Sequence, residues 1–251
     1  MRSPFDLSHR LALVTGSSRG LGWAIAQGLS AAGARVILHG RDQTALNQRA
    51  AELPNAAGTL AFDVTDAAAV CAAFGQIEAA HGHLDVVVNN AGVIPRGPLL
   101  ETTDADWQSV LDSNLTAYFR IAREAARLMV PRKSGRIIMV SSIMGLLGRA
   151  NIPGYSTVKA GLHGLVRSIA VELAPHGITV NALAPGYFPT EATDVLHKDT
   201  KFNAWIASRA PMARWGDPPE LAGPAVFLAS DASSYMTGQV LVIDGGLTAA
   251  L

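Results

Sequence analysis

With a single cysteine, Cys71, this 251-residue chain cannot form an internal disulfide. No disulfide framework holds the fold, which suits a reducing, cytoplasmic compartment. Cys71 sits in an Ala-rich helical stretch and reads as a small buried apolar residue rather than a reactive thiol. Charge is scarce too. Charged residues are 16% of the chain, and 20 Lys+Arg balance 20 Asp+Glu. A nucleic-acid binder usually carries a basic excess, so no nucleic-acid partner is expected, nor an anionic membrane. No apolar run reaches the roughly 20 residues of a membrane-spanning helix, and the opening MRSPFDLSHR reads as neither signal peptide nor anchor. The histidines His81, His83, His163 and His176 lack zinc-like spacing with other ligands, so no metal site is expected.

What is present is apolar: 49% of residues are hydrophobic, as in proteins whose parallel strands are buried on both faces. Short β-rich runs (Leu11–Thr15, Arg35–His39, Thr59–Phe62, Asp85–Val88, Arg136–Val140, Thr179–Leu183, Val240–Ile243) alternate with helical segments. The helices predicted are Gly22–Ala32, Gln43–Glu52, Ala67–His81, Leu115–Val130, Gly154–Leu173 and Pro219–Ala229. The alternation predicts an α/β fold, a Rossmann-like doubly wound parallel sheet in a three-layer αβα arrangement. No linker or repeat divides residues 1–251, so one domain is expected. Gly33 suits a left-handed helix end, Asp66 an N-cap, and Pro131 and Pro175 helix closure. The stretch Gly186–Pro211 is the least regular, and residues 186–217 are expected to act as a substrate-binding lid.

The run LALVTGSSRGLG leads from the first strand into the first helix through Gly16, Gly20 and Gly22. Glycines there allow close approach of backbone to a pyrophosphate, and the helix N-terminus favours the anion. Ser18, Arg19 and Leu21 belong to the same turn. Other polar or Gly-rich runs also fall at strand ends: Asp63 (with Val64 beside it as a cofactor candidate), Asn89-Asn90-Ala91-Gly92, Ser141-Ser142 and Pro185-Gly186. Four such runs on one sheet edge mark a crevice. After the second strand, where an acid would bind a ribose 2′-hydroxyl, the chain has Gly40 and then Arg41. A guanidinium suits a 2′-phosphate, with Arg19 as a second cation, so NADP(H) is preferred and NAD(H) remains an alternative. Against this stands the reading that both are surface arginines and that Asp42 neutralises Arg41.

Tyr155 and Lys159 are four apart, so on a helix they share one face, with Ser142 at a strand end upstream. TGSSRGLG, NNAG, Asn114, Ser142 and YSTVK, in this order, resemble the short-chain dehydrogenase/reductase family over nearly the whole chain, to the closing VLVIDGG. The resemblance implies Tyr155 as acid/base, Lys159 as its electrostatic partner and ribose anchor, and Ser142 as the hydroxyl orienting a carbonyl. It implies Asn114 holding a water, and Asp63, Asn90 and Thr190 contacting the adenine, ribose and carboxamide regions. Phe188 stands in the same cofactor-binding stretch, where the family often has a small β-branched residue.

The chemistry can be reasoned from charges. Lowering a phenol from pKa ~10 to ~7 takes about 4 kcal/mol. One cation at about 5 Å, at an effective dielectric near 20, supplies roughly 3 kcal/mol. A serine hydrolase is disfavoured because SSIMG is not a GxSxG elbow. A non-catalytic dinucleotide-sensing module is the alternative of another class. Within the family, LHGRD, FDVTD, APGYFPTE and RAPMARWGDPPELAGPAVFLAS resemble the subfamily that interconverts gluconate and 5-ketogluconate. Related oxoacyl-carrier-protein reductases and sugar or polyol dehydrogenases share the scaffold. A sugar-acid or polyol substrate is expected, with Arg96 and Arg149 as candidate carboxylate partners and Trp205 and Trp215 near the lid. The resemblance also implies a homotetramer paired through the helices at 115–130 and 154–173.

Overall fold

The computed structural model describes residues 3–250. Among these, strands and helices alternate: β1 (Leu11–Val14), α1 (Gly20–Ala31), β2 (Arg35–Gly40), α2 (Gln43–Glu52), β3 (Ala56–Ala61), α3 (Ala67–His81) and β4 (Val86–Asn89). There follow α4 (Asp104–Leu111), α5 (Ala117–Met129), β5 (Gly135–Val140), α6 (Pro153–Leu173) and β6 (Ile178–Pro185). The chain then forms α7 (Asp194–His197), α8 (Thr200–Arg209), α9 (Ala222–Ala229) and β7 (Val240–Ile243). The seven strands make one parallel sheet in the order β3-β2-β1-β4-β5-β6-β7. Chain order reverses between β1 and β4, and the crevice at such a switch point opens at the carboxyl ends of those two strands.

Strand pleating divides the core. Leu13, Val87 and Ile137 face α3, α5 and α6, while Val14, Val88 and Ile138 face α1 and α9. Both layers are buried, so the central strands read as unbroken apolar runs. A third cluster, with Ile143, Ile152, Ile206 and Leu247, lies under the segment after β6.

Helix punctuation follows the side chains. The carboxylates of Asp42 and Asp66 accept the first free amides of α2 and α3, and both helices span the predicted residues. Gly33 follows α1 with φ +101°. Pro131 and Pro175 sit in short 3-10 turns that tighten the ends of α5 and α6. Two expectations need correction, and one helix was not anticipated. Cys71 is exposed: α3 buries Val70, Ala73, Phe74 and Ile77, and a residue next to Val70 is turned about 100° away. The stretch 186–211 is not irregular, since it contains α7 and α8, the latter capped by Asp199 onto the amides of Lys201 and Phe202. Helix α4 also went unread, although Thr103 and Asp106 form a reciprocal capping box at its start.

Candidate active site

At the carboxyl edge of the sheet lies an open crevice of about 660 Å³. Its floor begins at the turn after β1, where Gly16 and Gly20 adopt φ +63° and +57°. A Cβ on Gly16 would meet the Ala91 Cα at 2.9 Å, and one on Gly22 the Gly16 carbonyl oxygen at 2.2 Å. Glycine is therefore required for packing as well as for any ligand. The turn is tied to its neighbours by Asn90, whose Nδ2 donates to the carbonyls of Thr15 and Gly16 at 3.0 and 3.1 Å. Thr15 Oγ1 accepts from the amides of Asn90 and Ala91 at 2.9 and 3.1 Å. This cradle leads into the N-terminus of α1, with Ser18, Arg19, Gly20 and Leu21 on the wall.

Arg41, exposed at the end of β2, shares that end of the crevice with Asp63 and Val64. Asp42 does not neutralise Arg41 by a salt bridge among the described residues; its Oδ1 accepts from the Thr44 and Ala45 amides at 2.8 and 3.1 Å. Hydrogen bonds from the Thr65 amide and hydroxyl hold the Asp63 carboxyl below the usual range. Arg19 forms an ion pair with Glu191 of the segment after β6.

At the other end Ser142, Tyr155 and Lys159 converge. Ser142 follows β5 and lines the crevice beside Tyr155, and its Oγ accepts from the Met144 amide at 3.1 Å. Tyr155 and Lys159 lie in the first turns of α6. The Lys159 ammonium donates to the Val140 carbonyl at 2.8 Å and stands 5.4 Å from the Tyr155 ring centroid. Burial pushes Tyr155 up to about 12, partly opposed by the Ser142 hydroxyl and the Arg96 charge. Burial also pulls Lys159 down to about 7. The ammonium lies beside the Tyr155 ring, yet in the protein alone burial dominates both groups. Asn114 rides on a π-helical turn, Asp112–Thr116, between α4 and α5. Its Nδ2 donates to the carbonyls of Val93 and Val110 at 3.0 and 3.2 Å, and Oδ1 lies where a Cβ on Gly92 would stand 2.2 Å away.

Pro185, Gly186, Phe188 and Thr190 close the crevice from β6, with Arg96 beside them. Phe188 is buried over Gly216, where a Cβ would approach its ring to 2.5 Å, so the bare glycine makes room for the large side chain. Arg149 is the one candidate that does not line the crevice. Its guanidinium carbon lies 4.8 Å from the Phe202 ring centroid and 6.0 Å from that of Tyr187. Trp215 packs edge-on to Tyr187 and Phe202, and Trp205 edge-on to Tyr187, in one aromatic cluster.

Sequence reasoning passed over His39, whose Nδ1 accepts from the Gly16 amide at 3.0 Å. It also missed Tyr118, whose ring lies 5.0 Å from the Lys159 ammonium. Neither carries a local signal, because both partners are distant in the chain. The glycine cradle, the helix N-terminus and the polar groups at both ends fit a dinucleotide laid across the switch point. Such a fold and site define a dinucleotide-dependent oxidoreductase.

A family model described as enoyl-(acyl carrier protein) reductase matches residues 16–248. The chain belongs to the short-chain dehydrogenase/reductase family. It is 42% identical to gluconate 5-dehydrogenase of Gluconobacter oxydans (strain 621H) over 250 residues, covering 98% of each chain. It is 42% identical over 256 residues to 5-keto-D-gluconate 5-reductase of Escherichia coli (strain K12), covering 100% of both. The crystal structure of a gluconate 5-dehydrogenase from Burkholderia cenocepacia J2315 in complex with NADP and tartrate superposes with a TM-score of 0.95. That pair is 40% identical and covers 99% of this chain and 98% of the other.

Proposed function

We propose that this enzyme is an NADP(H)-dependent oxidoreductase that interconverts a sugar acid and its keto form, gluconate and 5-ketogluconate. The observation that carries the reading is the convergence of Ser142, Tyr155 and Lys159 on the crevice whose far end holds the glycine cradle. When bound, the dinucleotide supplies the hydride acceptor or donor, and its oxidised ring adds positive charge. Gly16, Ser18, Gly20, Leu21, Asn90, Ala91 and Gly92 would hold its phosphates and ribose. Asp63 and Val64 would face the adenine, and Pro185, Gly186, Phe188 and Thr190 the nicotinamide. Arg41 and Arg19 would take the 2′-phosphate, which then competes with Glu191 for Arg19. The relatives' names support NADP and the gluconate pair as ligands.

During oxidation, Ser142 holds the substrate oxygen by a hydrogen bond while Tyr155 accepts the hydroxyl proton. Lys159 stabilises the phenolate, and the positive oxidised ring offsets what burial takes away. In reduction Tyr155 returns the proton to the same oxygen. Asn114, pinned by two carbonyls, would hold the water that links Lys159 to solvent. Arg96, which borders the crevice, would grip the substrate carboxylate, and residues 186–217 would close over it as a lid. Arg149, stacked on Phe202, would anchor that lid or reach the carboxylate when it closes. A homotetramer paired through α5 and α6, working in the cytoplasm, completes the proposal; the unpaired Cys71 is consistent with a reducing compartment.

The test is steady-state turnover of gluconate and 5-ketogluconate with NADP(H) and with NAD(H), for the native enzyme and Tyr155→Phe. We expect turnover of this pair with NADP(H) favoured, and about 10²–10⁴-fold lower kcat in the variant with cofactor binding retained. Activity confined to acyl-thioester or steroid ketones would reject the substrate, and near-native rates in Tyr155→Phe would reject the acid/base assignment.

A further inference from the structure

Lys159 is 3% exposed, and its ammonium donates to the Val140 carbonyl at 2.8 Å. An ammonium carries three N–H groups, and its removal from water is costly unless other groups compensate the charge. No carboxylate forms an ion pair with Lys159 among the described residues, and burial is what moves its proton affinity. Two aromatic faces lie beside it instead. The Tyr118 ring centroid is 5.0 Å from Nζ and that of Tyr155 is 5.4 Å, both within the range of a cation–π attraction.

Tyr118 is 1% exposed on α5, and its hydroxyl donates to the same Val140 carbonyl at 3.2 Å. It therefore touches the lysine by two routes, with its ring on the ammonium and its hydroxyl on the ammonium's acceptor. The groups around Lys159 come from several elements: Tyr118 from α5, the Val140 carbonyl from β5, and Tyr155 and His163 from α6. His163 also feels Arg167 and has its proton affinity lowered by burial, so it adds no negative charge.

We propose that Tyr118 is a positioning residue of the reaction, whose ring keeps Lys159 charged and seated against Val140 so that the ammonium faces Tyr155. This rests on the reading that Tyr155 and Lys159 are the proton-transfer pair. With burial holding Lys159 near 7, its charge at neutral pH is finely balanced. Weakening one π face lowers its proton affinity further. The charged, active form is then lost at lower pH, and the alkaline limb of activity moves toward acid.

The experiment measures kcat and KM across pH for the native enzyme, Tyr118→Phe, Tyr118→Leu and a variant with pentafluorophenylalanine at position 118. The fluorinated ring keeps the shape of phenylalanine but reverses the charge of its face, so packing and electrostatics separate even if Tyr118→Leu fails to fold. We expect Tyr118→Phe to keep the native alkaline limb. The fluorinated variant should shift it acidward by about one pH unit and lower kcat at neutral pH up to about tenfold, with the cofactor KM unchanged. An unmoved limb in the fluorinated variant, an equal fall in kcat at every pH, or an equal shift in Tyr118→Phe overturns the role of the ring. Tyr155→Phe is measured alongside. If it retains turnover, the proton-transfer reading itself fails; if it is inactive and the Tyr118 profiles do not move, only the proposal for Tyr118 fails.

Discussion

His39 closes β2 with both ring nitrogens committed: Nδ1 accepts from the Gly16 amide at 3.0 Å and Nε2 donates to the Phe62 carbonyl at 3.2 Å. Its partners therefore assign a neutral imidazole protonated at Nε2. The ring packs on Phe62 with centroids 4.1 Å apart, and burial lowers its pKa from 6.5 to about 4. In the unfolded chain the same histidine binds a proton below about pH 6.5. Between pH 6.5 and 4 the unfolded state thus holds more protons, and stability falls as the pH falls. The loss amounts to roughly 3 kcal/mol across that window. Urea unfolding at pH 7 and at pH 5 should show about 2 kcal/mol of this decline in the native protein and less in His39→Asn. An equal decline in both would show that His39 is not its source.

Under the proposed function, the strand–turn–helix from β1 to α1 is the element on which cofactor binding would depend most directly. A Cβ on Gly22 would stand 2.2 Å from the Gly16 carbonyl oxygen and 2.4 Å from Asn90 Nδ2, and the first of these is backbone. Gly22→Ala should therefore distort the turn and weaken NADPH binding by tenfold or more, a loss of at least about 1.4 kcal/mol. Titration followed by nucleotide fluorescence would measure it, and unchanged affinity would contradict the cradle. Gly75 in α3 is the control, because a Cβ there meets nothing within 4 Å. Gly75→Ala should leave binding alone and stabilise the protein by about 0.5–1 kcal/mol in urea unfolding. The same scale shows what was legible. Helices α2 and α3 declare themselves through Asp42 and Asp66 before regular helical runs. Helices α7 and α8 lie in a segment rich in polar residues and aromatics, where burial against Tyr187 and Trp215 supplies the pattern. That burial exists only after folding.

Across the whole molecule, apolar surface is unevenly left over. Leu115 and Phe119 border an open groove between α5 and α6, with Gly161, Gly164 and Leu165 on its other side, and Phe119 is 43% exposed. The glycines allow a partner helix to come close. If copies of the chain pair here, Phe119→Glu should place charge in that contact and shift the protein to smaller assemblies in light scattering. A native protein that is already monomeric, or an unchanged size in the variant, would reject pairing through these helices. No helix of the described residues is long and apolar enough to cross a membrane.

The primary structure by itself determined the parallel α/β sheet, because strand runs apolar on both faces alternate with capped helical runs. It also determined which strand ends meet in the crevice, since glycines, asparagines and Ser142 break those runs where the sheet ends. Local pattern could place Tyr155 and Lys159 on one helical face, because a period of 3.6 residues requires it. Tertiary structure alone decided the state of that pair. The low-dielectric pocket that lifts Tyr155 and lowers Lys159 is built from β5, α5 and α6 together. Tyr118 lies 41 positions before Lys159 in the sequence and 5.0 Å from its ammonium in the fold. Desolvation and ring contacts of this kind depend on which atoms surround a group, and only the folded chain brings those atoms together.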